Sequence, residues 1–188
     1  MNDYLAKFYF SLAEELIPEI AERPISSDKE FAVILENGDT LSAVDIERIS
    51  ESTSLVPIFF VISRDESLDI SRLYSRWLGA PTVIPKSLRD AVSAISECNF
   101  SVSEKSDGAL LSFLAATPAY LNSGSRGCRE IIADFSKSAF FSSMFIPYTK
   151  GRINLIKRVS VDRALYREEI KKLRTDICAK LSDILGKS

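Results

Sequence analysis

Val56–Trp77 reads VPIFFVISRDESLDISRLYSRW. The apolar run ending at Ile62 stops at a polar cluster, Ser63-Arg64-Asp65-Glu66-Ser67. Ile70, Leu73, Tyr74 and Trp77 then recur at i, i+3, i+4 and i+7, the period of an amphipathic helix. The stretch predicts a buried parallel strand that feeds a polar loop at a helix N-terminus. In open α/β sheets such loops are where ligands bind, phosphorylated ones above all, because free N–H groups and the helix dipole favour an anion there.

The same rhythm extends on both sides. Asp3 can cap a first helix with Leu5, Phe8, Leu12 and Leu16 along one stripe, ended or kinked by Pro18 and Pro24. Phe31–Leu35 is a short buried strand that runs into the turn Glu36-Asn37-Gly38-Asp39, and residues 42–50 read as a short helix. After the quoted stretch come Gly79 as a helix C-cap and residues 80–85 as a third strand. A capping-box-like start, Ser87-Leu88-Arg89-Asp90, opens a helix lined by Leu88, Val92 and Ile95, and Phe100–Val102 is a fourth strand. This alternation predicts a three-layer α/β sandwich, Rossmann-like, with a mainly parallel sheet and right-handed crossovers.

Beyond Asp107 the pattern turns helical. Residues 108–116 and 128–141 read as helices, the second with Ile131, Ile132, Phe135 and Ala139 on one face, and 117–127 reads as a loop containing NSGSRG. Phe145–Pro147 and Ile153–Ile156 read as short extended pieces. Asp162 caps a last helix with Tyr166, Ile170, Leu173, Ile177, Leu181 and Ile184 spaced near the heptad. Residues 1–107 are therefore expected to form the α/β sheet core. Residues 108–188 form a helical remainder of the same domain, with 162–186 as a dimerisation helix. Trp77 and the Phe-rich stretch 135–145 are expected in the core.

Composition narrows the chemistry. The 188 residues include no histidine, which excludes Ser-His-Asp and Cys-His catalysis and imidazole proton transfer. The three cysteines, Cys98, Cys128 and Cys178, form neither a CxxC pair nor a disulfide framework, so no metal site or cofactor is called for. The apolar runs are too short to cross a bilayer, and Glu14, Glu15 and Glu19 interrupt any secretory pattern, so a cytoplasmic protein is expected. Residues 1–107 carry 10 Lys and Arg against 19 Asp and Glu, a net −9, and residues 108–188 carry 14 against 7, a net +7. The halves should attract one another, within a chain or across a dimer. No recognition motif marks the basic half as a nucleic-acid surface.

The order of elements resembles the SIS domain, the sugar-isomerase or phosphosugar-binding module, over roughly residues 1–105. Gly38 and Thr40 fall where that family's first phosphate loop has its second glycine and its serine, and Ala43 matches the small residue that begins the next helix. With one residue deleted, Ser63, Glu66, Ser67 and Asp69 fall on the family's Ser, Glu, Thr and Asp of the second loop. Asp65 stands in place of that loop's second serine, its glycine is missing, and Glu36 replaces the first glycine of the earlier loop. The resemblance implies a sugar-phosphate ligand and makes Thr40, Ser42, Ser63, Arg64, Ser67 and Lys86 the ligand-binding candidates. It also brings Glu104 and Lys105 near the family's acid–base glutamate. Isomerase activity would lack the family's usual histidine.

A rival resemblance is to a response-regulator receiver. There Glu36 would stand in for the phosphoacceptor Asp, Ser63 for the conserved hydroxyl and Lys86 for the conserved lysine. It implies a non-enzymatic signalling or interaction module. By either route the last helix and the charge asymmetry lead to an expected homodimer.

Overall fold

The computed structural model describes residues 29–36, 41–62, 66–136, 138–172 and 175, with 66–68 by backbone alone. Six strands form one sheet, all parallel: β1 (Glu30–Leu35), β2 (Val56–Val61), β3 (Thr82–Val83), β4 (Ser101–Ser103), β5 (Ala119–Asn122) and β6 (Phe145–Tyr148). Their spatial order is β3-β2-β1-β4-β5-β6. This is an α/β sandwich of Rossmann-like order, as the alternation predicts.

Parallel strands need crossover helices, and these bury both faces of the sheet. Helices α1 (Ala43–Thr53) and α2 (Glu66–Leu78) return the chain to β2 and β3. Ile46 and Ile49 of α1 and Tyr74 and Leu78 of α2 cover Phe31, Val33, Leu35 and Phe59 on one face. On the other, α3 (Leu88–Ile95), α4 (Ser106–Leu114), α5 (Arg126–Phe135) and α6 (Ala139–Met144) cover Ala32, Ile34, Phe60 and Leu121. The helical segment α7, 163–172, adds Tyr166 and Ile170 to that side. Phe113 lies at its centre, with ring centroids of Phe135, Phe141, Phe145 and Tyr166 at 5.3, 5.4, 5.9 and 5.7 Å. The Phe-rich stretch is core, as expected.

Local sequence sets the element ends. Ser42 accepts from the Asp45 amide while the Asp45 carboxylate accepts from the Ser42 amide, a reciprocal capping box. Ser87 accepts from the Asp90 amide at 3.1 Å, and Asp162 from those of Ala164 and Leu165. Gly79 turns the chain at φ 63°, which its missing Cβ permits.

Several expectations are corrected. Trp77 and Leu73 are 64 % and 62 % exposed, not core. The buried face of α2 is Ser71, Tyr74 and Leu78, so the helix is turned by about a quarter turn from the apolar stripe. Leu88 is exposed as well. The loop expected over 117–127 contains β5, the helix expected over 128–141 is two helices, and 153–156 falls in and just after a 3-10 turn, Lys150–Leu155, not in an extended piece. The first helix expected from Asp3, and the last helix from Asp176 on, lie outside the described residues.

Candidate functional site at the carboxyl edge of the sheet

The strand order reverses between β1 and β4. From β1 the chain steps to β2 and β3; from β3 it crosses back to β4 on the far side of β1 and continues to β5 and β6. The loops after β1 and β4 therefore diverge to opposite faces, and a crevice opens between them at the carboxyl ends of the strands. Ile34 and Ser103 are register partners, so the residues that enter this crevice are Glu36 on one side and Glu104 and Lys105 on the other.

Both glutamates are buried and both bind protein groups. Glu36 is 9 % exposed and its Oε1 accepts from the backbone N–H of Gly108, in the first turn of α4, at 3.1 Å. An N-terminal amide of that helix is thus satisfied by a carboxylate from the neighbouring strand, as the helix dipole favours. Glu104 is 6 % exposed. Its Oε2 accepts from the Leu41 amide and its Oε1 from Asn122 Nδ2, both at 2.9 Å, and Lys150 Nζ lies 3.7 Å from Oε1. One side chain so ties the end of the β1–α1 loop, the end of β5 and the turn after β6. Tyr74 holds the same point from α2 by donating its hydroxyl to the Leu41 carbonyl at 3.1 Å. Burial, then the Asp45 and Glu104 carboxylates, push the Tyr74 phenol above its ordinary pKa, which keeps it a donor.

Helix α4 approaches the crevice closely because its contacts are small. Ser101 and Ser112 hydroxyls meet at 2.6 Å, and Ser112 donates to the Gly108 carbonyl at 2.7 Å. A Cβ on Gly108 would collide with the Ser103 side chain and crowd Ile34. This is a glycine that lets helix and strand pack, the role of a glycine late in nucleotide-binding fingerprints.

The sequence-predicted ligand residues divide unevenly. Ser42 is at the edge, but its hydroxyl serves the α1 cap and lies 2.7 Å from Asp45 Oδ2. Lys86 follows β3 and is exposed. Thr40, Ser63 and Arg64, and the side chain of Ser67, lie outside the described residues, although α2 starts at Glu66. The NSGSRG segment folds on itself: Arg129 donates to the Ser123 and Gly124 carbonyls at 2.9 Å each, Asn122 Oδ1 accepts from the Gly124 amide, and Arg126 pairs with Glu130.

Glu36 was not among the ligand-binding candidates: one resemblance made it a lost glycine and the other a stand-in for a phosphoacceptor Asp, while the roles of Asn122, Tyr74 and Lys150 were missed. The available signal was position: Glu36 and Glu104 directly follow strands and Asn122 ends one. Among the described residues no group of three or more Cys, Asp or Glu is arranged to hold a metal ion. None of their helices is long and apolar enough to cross a membrane. No protein-family model and no curated protein matches the chain.

Proposed function

We propose that the protein binds a phosphorylated sugar at the carboxyl edge of its sheet, as an SIS-like binding module without isomerase activity. The observation that carries this reading is the reversal of strand order between β1 and β4, which makes the crevice outside those strands the ligand position of an open parallel sheet. In this reading the phosphate lies at the start of α2, against its backbone N–H groups and the hydroxyls of Ser63 and Ser67. Arg64 and Lys86 supply positive charge, and Thr40 and Ser42 border the sugar. The carboxylates of Glu36 and Glu104 exclude the phosphate from the β1–β4 end and direct hydroxyls there, because a carboxylate repels an anion and accepts from an O–H.

Binding without catalysis follows from two features. The chain has no histidine, and Glu104 is engaged as a brace between loops instead of standing ready to move a proton. The alternative is a non-enzymatic, receiver-like signalling or interaction module, which shares Glu36 at a strand end. We place the protein in the cytoplasm and retain a homodimer as part of the proposal.

The test is thermal unfolding against a panel of hexose and pentose phosphates, with the free sugars and inorganic phosphate as controls. A ligand at a hundred times its Kd should stabilise the fold by about 2.7 kcal/mol. Stabilisation by phosphorylated sugars above both controls supports the proposal. A flat response across the panel overturns it.

A further inference from the structure

On the sheet face that α1 and α2 cover, β5 and β6 lie under an irregular strap, residues 149–159. It opens with the 3-10 turn after β6 and ends beside Asn99. Ile153, Ile156 and Val159, three residues apart, pack inward with Tyr120 and Tyr148. The strap is fastened from beneath. Tyr120 Oη donates to the Lys157 carbonyl at 3.0 Å and accepts from its amide at 3.1 Å. Ser52 of α1 donates to the Ile156 carbonyl at 3.4 Å, and the Val159 amide donates to Asn99 Oδ1 at 3.3 Å. With every third residue turned in, the residues between them are turned out.

What faces out is basic. Residues 149–159 hold Lys150, Arg152, Lys157 and Arg158 and no acid, and all four cations are exposed. Leu155 stands among them, 57 % exposed. Two of the cations are anchored: Lys150 Nζ lies 3.7 Å from Glu104 Oε1, and Arg158 donates to the Thr53 and Ser54 carbonyls, which leave its charge in place. Acids border the strap without interrupting it. Glu104 is at one end. Glu97 and Glu30, whose carbonyl accepts from the Asn99 amide, are at the other. On α1, Arg48 and Glu51 stand near Ser52 and offset one another. A cationic surface carrying an exposed leucine fits a partner that is anionic outside and apolar beneath, a bilayer containing anionic lipid. A nucleic acid fits less well, because the strap presents no aromatic ring for a base to stack on and no helix or paired strand to enter a groove. We propose that residues 150–158 rest reversibly on an anionic membrane surface, with Leu155 inserted at the headgroup boundary.

Co-sedimentation of the full chain with vesicles tests this. Vesicles of phosphatidylcholine and phosphatidylserine in equal parts should carry the protein down at low salt, phosphatidylcholine alone should not, and added salt should release it. Arg152→Gln with Lys157→Gln should weaken partition by about thirtyfold. Leu155→Ser should weaken it severalfold and leave the salt dependence in place. All three side chains are exposed, so the urea midpoint of each variant should match wild type and separate lost binding from lost folding. No binding to the mixed vesicles overturns the proposal. So does equal binding to both kinds of vesicle, or vesicle binding that is indifferent to either the charge pair or Leu155→Ser. Capture by single-stranded RNA without vesicle binding, weakened by the charge pair and unchanged by Leu155→Ser, assigns the strap to a phosphate backbone and overturns it too.

Discussion

Glu104 shows how much one side chain does at this edge. Replacing it with Ala leaves the Leu41 N–H and the Asn122 amide without their acceptor, and buried donors left unmade cost roughly 1–3 kcal/mol each. Glu104→Ala should therefore lower the unfolding free energy by about 2–6 kcal/mol, read from the urea midpoint at constant slope. A midpoint close to wild type would show that water or a neighbour takes over both donors. Cys98 gives a pH signature. Burial first, then Glu30 and Glu97, push its thiol from 9.0 to about 12. The folded state holds this proton more tightly than the unfolded state, so the stability it contributes is complete below pH 9.0 and lost as pH rises toward about 12. The slope is about 1.4 kcal/mol per pH unit, and Cys98→Ala should remove that component from unfolding curves collected across the window. An unchanged slope would contradict it. Neither role was legible in the sequence, because a lone Glu or Cys acquires its meaning from loops and helices that meet only in the fold. Trp77 failed for a different reason: the sheet accepts α2 through Ser71, a small hydroxyl that an apolar pattern counts as outward.

At the scale of elements, β1, β2 and the helices after them were readable because continuous apolar runs, capping residues and turn residues agree. Strand β5 was not, because Ala-Tyr-Leu-Asn is four residues long and merges with the polar NSGSRG segment that follows. Missing it hid Asn122 and with it half of the Glu104 brace. The interface between α4 and β4 makes the sharpest prediction here. Gly108→Ala drives a methyl into the Ser103 side chain and Ile34, and overpacking of this kind costs about 1–3 kcal/mol. Ser103→Gly in the same protein should restore part of that loss, giving a non-additive double-mutant cycle. Full additivity would mean that the two elements separate to accommodate the methyl.

Across the whole molecule, the charge asymmetry resolves in part within the chain. Arg158 donates to the carbonyls of Thr53 and Ser54 at the end of α1, Arg163 to the Ser96 carbonyl beyond α3, and Lys150 lies beside Glu104. Cations at helix C-termini also complement the helix dipole. Tyr166 and Ile170 of the last helix are buried against the sheet side, so the beginning of its stripe serves intrachain packing. A dimer, where it forms, must use other residues. Light scattering of the full chain at low and high salt checks the proposed homodimer: mass should fall from dimer toward monomer as salt rises, and a monomer under all conditions rejects it.

The central claim is that a sugar phosphate is held at the carboxyl edge of the sheet, with its phosphate at the start of α2. A crystal structure of the full chain soaked with the sugar phosphate that most stabilises it tests this most directly. The account predicts the phosphate against the α2 backbone N–H groups beside Ser63 and Ser67, with sugar hydroxyls toward Glu36 and Glu104. The Asp65 carboxylate seated at that helix start, with no phosphate anywhere along the carboxyl edge, would contradict it.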